Sequence, residues 1–228
     1  MKYVIHSYAD PMNPRTEFDN FGTMLCAEHR RYNLGDEQTT ESEQEIMTRL
    51  AREADPALAR WIDRAEDTLS TAYYSNNIRH DSLEREINKK RDAWVDQAFE
   101  DNYAWLPLYL YDHGGLTMRT GPFSCPWDSG RVGMIYASKT TIVNEYGVEW
   151  TPETKAKAES LLKAEVEEYT AYLQGESYWY EILDDEGNQL DSCYGYYGRE
   201  CAEEAAREAL QCCLHREPKQ HLLPSLAA

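Results

Sequence analysis

Four residues that can do chemistry sit close together in this chain: Asp112, His113, Cys125 and Asp128. A thiolate is a nucleophile, and an imidazole hydrogen-bonded to it can take its proton while a carboxylate orients the ring. Read that way, Cys125 attacks, His113 is the base, and Asp112 or Asp128 holds His113. Two features argue against it. Cys125 lies between Ser124 and Pro126 rather than at a helix N-terminus, and no known protease signature surrounds it. A buried structural thiol is the simpler expectation. The stretch His113-Gly114-Gly115 has no elbow serine to serve, so it reads as a turn. Neither a GxxxxGK[ST] phosphate loop nor a GxGxxG fingerprint is present.

Metal chemistry would need a different set. Asp10, Asp19, Asp112 and Asp128 could meet at strand ends as hard oxygen ligands for Mg²⁺ or Ca²⁺. Cys26 and His29 have a zinc-like spacing, with Cys212, Cys213 and His215 further on, but no second clean pair closes four ligands. No cofactor is expected, a divalent cation being the one considered.

The motifs around these residues echo each other. EFDNFGTMLC (17–26) and PWDSGRVGMIY (126–136) each carry an aromatic, an aspartate, a small polar residue, a glycine, a methionine and a strand-like end. Asp19 and Asp128 each precede a glycine, which predicts that they bond nearby backbone N–H groups as Asx turns. Trp127 is expected to pack. The residues expected to touch a ligand or partner are Asp19, Asn20, Asp112, Trp127, Ser129, Tyr194, Tyr196 and Tyr197.

The stretches NPRTEFDNFGTMLCAEHRRYNLGD, LPLYLYDHGGLTMRTGPFSCPWDSGRVGMIYASK and GNQLDSCYGYYG resemble a family of uncharacterised proteins of bacteriophages and other mobile elements. The resemblance spans most of the chain outside 41–103 and the tail. It implies a genomic context and no particular chemistry. Phe18 and Gly114 stand where that family more often has Trp and Ser, which argues against a role needing an indole or a hydroxyl there.

The elements that must position these residues follow from pattern. YVIHSY (3–8) and FGTMLC read as strands. Residues 41–103 are charged, almost free of Gly and Pro, and helically periodic, as in Ile46, Leu50, Ala54 and Leu58, Trp61, Ile62, Ala65, Leu69. They predict helices at about 41–54, 56–74 and 80–103, read as a helical insertion. LPLYLYDHGGLTMRT predicts a hairpin and RVGMIYAS a further strand. TTIVNEYG predicts a short helix. Thr151-Pro152 and Gly175 bracket a helix over 152–173, with a stripe of Ala158, Leu161, Leu162, Val166, Tyr169, Tyr172 and Leu173. SYWYEILDDEGNQLDSC predicts a second hairpin, and a last helix covers about 199–214. The expected fold class is α+β: a mostly antiparallel sheet flanked by helices, with core 1–40 and 104–215, helical insertion 41–103, and a loose tail 216–228.

Composition narrows the function. The 228 residues carry 41 acidic and 23 basic side chains, a net charge of −18. That charge opposes direct binding to nucleic acid or an anionic membrane and favours a partner with a basic surface. Seventeen tyrosines and six tryptophans supply aromatic contact area. The start MKYVIHSYAD lacks a signal-peptide pattern, no apolar run is long enough to span a bilayer, and the six cysteines are expected as free thiols, so the cytoplasm of a host cell is the expected compartment. The leading expectation is a non-enzymatic accessory protein that binds and modulates a host factor, such as a component of a defence system. The alternatives are a hydrolase or a nucleotide-type ligand binder at the Asp112, His113 and Asp128 turns, with Arg15, Arg30, Arg31 or Arg131 lining its pocket, and a virion or self-assembling protein.

Overall fold

The computed structural model describes residues 1–29, 31–76 and 81–216, so Arg30, residues 77–80 with the start of the helix expected from about 80, and all of the expected tail but Arg216, which ends a helix, lie outside the described residues. The chain is α+β, as expected. A three-stranded antiparallel sheet has the order β1-β7-β8, formed by β1 (Lys2–Ser7), β7 (Ser177–Leu183) and β8 (Gln189–Tyr197). A five-stranded mixed sheet has the order β3-β2-β6-β4-β5. Its strands are β2 (Thr23–Ala27), β3 (Glu37–Thr39), β4 (Tyr103–Asp112), β5 (Leu116–Arg119) and β6 (Ser129–Ser138). The helices are α1 (Pro14–Glu17), α2 (Glu43–Ala54), α3 (Pro56–Asn76), α4 (Asp81–Asn102), α5 (Lys139–Tyr146), α6 (Pro152–Leu173) and α7 (Arg199–Arg216).

The chain forms two compact units. One holds Met1–Asp19, Leu110–Gly130 and Ala164 onward; the other holds Asn20–Tyr109 and Arg131–Lys163. In the second unit α2, α3 and α4 share one core with the sheet. Ile46, Leu50, Leu58, Ile62, Val95 and Phe99 pack with Leu25 of β2 and Met134 of β6. The helix boundaries have local causes. Ser42 and Glu45 form a reciprocal capping box at the start of α2. Asp55 joins α2 to α3: its carboxylate accepts from the Ala57 and Leu58 N–H groups and from Trp94 Nε1 at 3.0 Å. In α6 the stripe Ala158, Leu162, Val166 and Tyr169 is buried, whereas Leu161 points to solvent.

The two similar sequence stretches are neighbours in space. Met24 pairs with Ile135 and Leu25 with Met134, so Met-Leu and Met-Ile lie antiparallel about a local two-fold. The next pair is Cys26 and Gly133. There the strands come so close that a Cβ on Gly133 would lie 1.9 Å from the Leu25 carbonyl oxygen.

In the first unit, Tyr180 and Ile182 of β7 pack against Ala206 of α7. Arg15 of α1 is buried and pairs with Glu165 of α6, Nη1 to Oε2 at 2.8 Å. The edge strand β5 is covered by α6, where Thr170 Oγ1 bonds both the N–H and the C=O of Met118.

Each unit buries a tyrosine whose phenol is pushed up to about 12 by burial: Tyr103, donating to the Leu50 carbonyl, and Tyr197, donating to the Met12 carbonyl. A raised phenol favours the folded state fully below the unfolded value near 10, and that stability is lost as pH climbs from 10 through 12. The expected loss is roughly 2–3 kcal/mol per tyrosine. Urea denaturation between pH 9 and 12 should show it, with a shallower fall for Tyr103→Phe and for Tyr197→Phe.

Candidate functional site at the 111–129 turns

β4 ends at Asp112, and the chain turns through His113, Gly114 and Gly115 into β5. After β5 it runs through a loop flanked by Pro122 and Pro126 before entering β6 at Ser129. The loop is pinned along its length. At its base the Asp112 N–H donates to the Asp128 carbonyl at 2.9 Å. Ser129 Oγ donates to the Cys125 carbonyl. Arg119 donates to the carbonyls of Gly121 (2.8 Å) and Pro122. Its guanidinium also lies 3.8 Å from the centre of the Phe123 ring, which in turn stacks on Tyr111.

Within this frame His113, Asp128 and Cys125 converge. His113 Nδ1 is 3.3 Å from Asp128 Oδ2, and Cys125 Sγ donates to the same oxygen at 3.6 Å. The order is imidazole, carboxylate, thiol. A nucleophile–base–orienter chain instead puts the imidazole in the middle, touching the nucleophile. Here the carboxylate is the thiol's acceptor and the imidazole is the carboxylate's partner. His113 is largely solvent-exposed, at 69% of its side-chain area, and Asp128 at 39%. Cys125 is half-buried.

Three expectations are corrected. Asp128 makes no Asx turn: the chain enters β6 directly after it, and its carboxylate turns to side chains instead. Asx geometry appears at Asp184, which accepts from the Glu186 and Asn188 N–H groups. Gly130, the glycine after Asp128, has open space around it and an ordinary φ; the glycine that the fold requires is Gly133. Trp127 does not pack. It is 92% exposed, because the prolines and the Asp112–Asp128 bond hold the loop with that side chain outward.

The other expected residues are spread over further elements. Asp19 is exposed and Asn20 half-buried on the segment between α1 and β2. Tyr194 is exposed, Tyr196 half-buried and Tyr197 buried. Burial and the neighbouring Cys193 push the Tyr196 phenol up. Of the arginines considered for an anion pocket, Arg15 is buried against Glu165, Arg131 pairs with Glu43 at 2.7 Å, and Arg31 lies over Tyr32. Among the described residues no three His, Cys, Asp or Glu side chains are grouped to hold a metal ion, so Asp10, Asp19, Asp112 and Asp128 do not form the cation site considered. Cys26 is buried, His29 stacks on Tyr32, and all six cysteines are free thiols.

Two arrangements escaped the sequence. The Arg119–Phe123 stack could have been suspected from a cation and an aromatic bracketing Gly121-Pro122. The other is a ring stack across all three strands of the smaller sheet. His6 stacks on Trp179 at 4.2 Å, and Trp179 on Tyr194 at 4.7 Å. Strand register sets its first contact, His6 opposite Trp179, and the second falls at the irregularity between the Tyr178–Tyr196 and Tyr180–Cys193 pairs.

Comparison with protein-family models, with curated proteins and with solved structures found no match to this chain. Among the described residues no helix is long and apolar enough to cross a membrane.

Proposed function

We propose that this is a non-enzymatic accessory protein that binds and modulates another protein, and that the 122–128 loop is its principal contact. One observation carries the reading: Trp127 is 92% exposed next to the base of a loop tied down by the Asp112–Asp128 and Ser129–Cys125 bonds. An indole held in water by a rigid frame forgoes burial that most tryptophans obtain, and its loop is ordered in advance of any encounter. Tryptophan is also the residue most enriched among binding hot spots. The net charge of −18 favours a partner with a basic surface and disfavours direct contact with nucleic acid. Taken with the resemblance to mobile-element proteins, the reading is of a host protein in the host cytoplasm, with a defence component as the favoured class.

Trp127→Ala should weaken capture of the partner by about 2 kcal/mol or more, roughly 30-fold, with the fold intact by circular dichroism. The measurement is quantitative capture from a lysate of the host cell, comparing wild type, Trp127→Ala and Tyr74→Ala. Tyr74 is an exposed aromatic on α3 and serves as the control. Equal capture by all three proteins sinks this reading.

A second reading rests on the convergence of His113, Asp128 and Cys125. There Asp128 would take the Cys125 thiol proton while His113 steadies the carboxylate, as in a thiol-dependent hydrolase. Full biological activity in each of His113→Ala, Cys125→Ala and Asp128→Ala would end it.

A further inference from the structure

We infer that the Trp127 loop recognises a guanidinium group, so that the partner presents an arginine to it; this rests on the protein-binding reading above and names the chemistry of the contact. Both side chains that contact Asp128, His113 and Cys125, use Oδ2. Oδ1 accepts from neither, and the side chain is 39% exposed. Immediately before it in the chain stands the open indole of Trp127. A planar cation can lie on an indole face and donate to an adjacent carboxylate oxygen, and arginine does both better than lysine because its charge is spread over a flat, weakly hydrated fork. The same loop already uses this chemistry internally, where Arg119 lies over Phe123 and donates to the backbone beside it. Within 110–130 Arg119 is the single lysine or arginine and is engaged with Phe123 and the backbone, and His113 meets Asp128 at Oδ2.

An apolar anchor from a partner would use the indole but gain nothing from Asp128. A phosphate or carboxylate would be repelled by it. Of the residue types that stack on tryptophan, arginine is the one whose fixed donors also suit the Asp128 oxygen that neither His113 nor Cys125 uses.

The test uses the full chain labelled with ¹⁵N, in salt of about 0.15 M so that diffuse attraction to the acidic surface is screened. The probes are hexa-arginine and hexa-lysine peptides. The Trp127 indole N–H resonance is assigned by its loss in Trp127→Ala. Hexa-arginine should move that resonance saturably, hexa-lysine should bind several-fold more weakly, and Asp128→Asn should weaken hexa-arginine about tenfold. Asparagine keeps an acceptor for His113 and Cys125, and unchanged backbone shifts in Tyr111, Phe123 and Ser129 verify the loop. Tyr74→Ala should bind as wild type does. Equal response to both peptides, or no effect of Asp128→Asn in an intact loop, overturns the guanidinium assignment. If hexa-arginine leaves the indole unmoved while Trp127→Ala still loses the partner, the inference falls and the protein-binding reading stands. If the indole responds as expected while Trp127→Ala captures the partner normally, the guanidinium site stands and the partner reading falls.

Discussion

Gly133→Ala is expected to lose about 4 kcal/mol or more of stability, enough to leave a domain of ordinary stability largely unfolded. The cause is the close approach of β6 to β2. The new methyl group would sit 1.9 Å from the Leu25 carbonyl oxygen and 2.9 Å from its carbon. Neither atom belongs to a flexible side chain that could swing away. Leu25 is itself buried in the core that α2, α3 and α4 share with the sheet, and its register with Met134 is fixed by pairing on both sides. Relief therefore requires the strands to separate, which breaks ladder hydrogen bonds and opens that core. This exceeds the 1–3 kcal/mol typical of overpacking between side chains. The matched control is Gly130→Ala, three residues earlier, where an added Cβ meets nothing within 4 Å. It should stay within about 1 kcal/mol of wild type. Urea denaturation followed by circular dichroism and tryptophan fluorescence reads both. Equal stability for the two variants would show that the strands are not as close as described.

That contrast also shows where sequence reasoning stops. Gly130 and Gly133 both belong to WDSGRVG, and the motif drew attention to the first because an aspartate precedes it. The need for a glycine at Gly133 comes from β2, more than a hundred residues away, and no local pattern encodes it. The same limit explains other differences. The helical periods of 41–103 and 152–173 were legible because one face of each helix is buried continuously over several turns. The four-residue α1 and three-residue β3 were not, since each makes too few local bonds to leave a period in the sequence. At the candidate site, the nearness of His113, Cys125 and Asp128 was legible because a hairpin returns the chain to its start. Their order was not, because which atom faces which depends on how Asp112 and Asp128 pair at the base of the loop. Trp127 was expected to pack because tryptophans usually do. Its exposure is a departure from that rule, and departures of this kind concentrate at functional surfaces.

Arg15 carries the other large expected effect. From sequence it was a candidate for a ligand pocket; in the fold its side chain is 1% exposed and donates to Glu165, which is 16% exposed. It sits at the start of α1, where Asn13 caps its N–H, three residues after Met12, whose carbonyl accepts from buried Tyr197. Arg15→Ala should cost about 3–5 kcal/mol, because it breaks a poorly solvated ion pair by removing one partner. Glu168 amplifies the loss. Its carboxyl is already pushed up by burial and by Glu165, with Arg15 opposing. Removing Arg15 pushes it higher. A carboxyl raised above its unfolded value favours folding at low pH and loses that contribution as pH rises through the folded value. The deficit of Arg15→Ala should therefore be smallest near pH 4 and grow toward pH 7. If desolvated charge is the cause, replacing both partners restores most of the stability: Arg15→Met with Glu165→Met should lie within about 1 kcal/mol of wild type. Thermal and urea denaturation of Arg15→Met, Glu165→Met and the double variant across pH 4–7 decide it. A double variant as unstable as the sum of the single ones would mean that the arginine acts through packing of its stem, and that the ion pair holding α1 to α6 contributes nothing of its own.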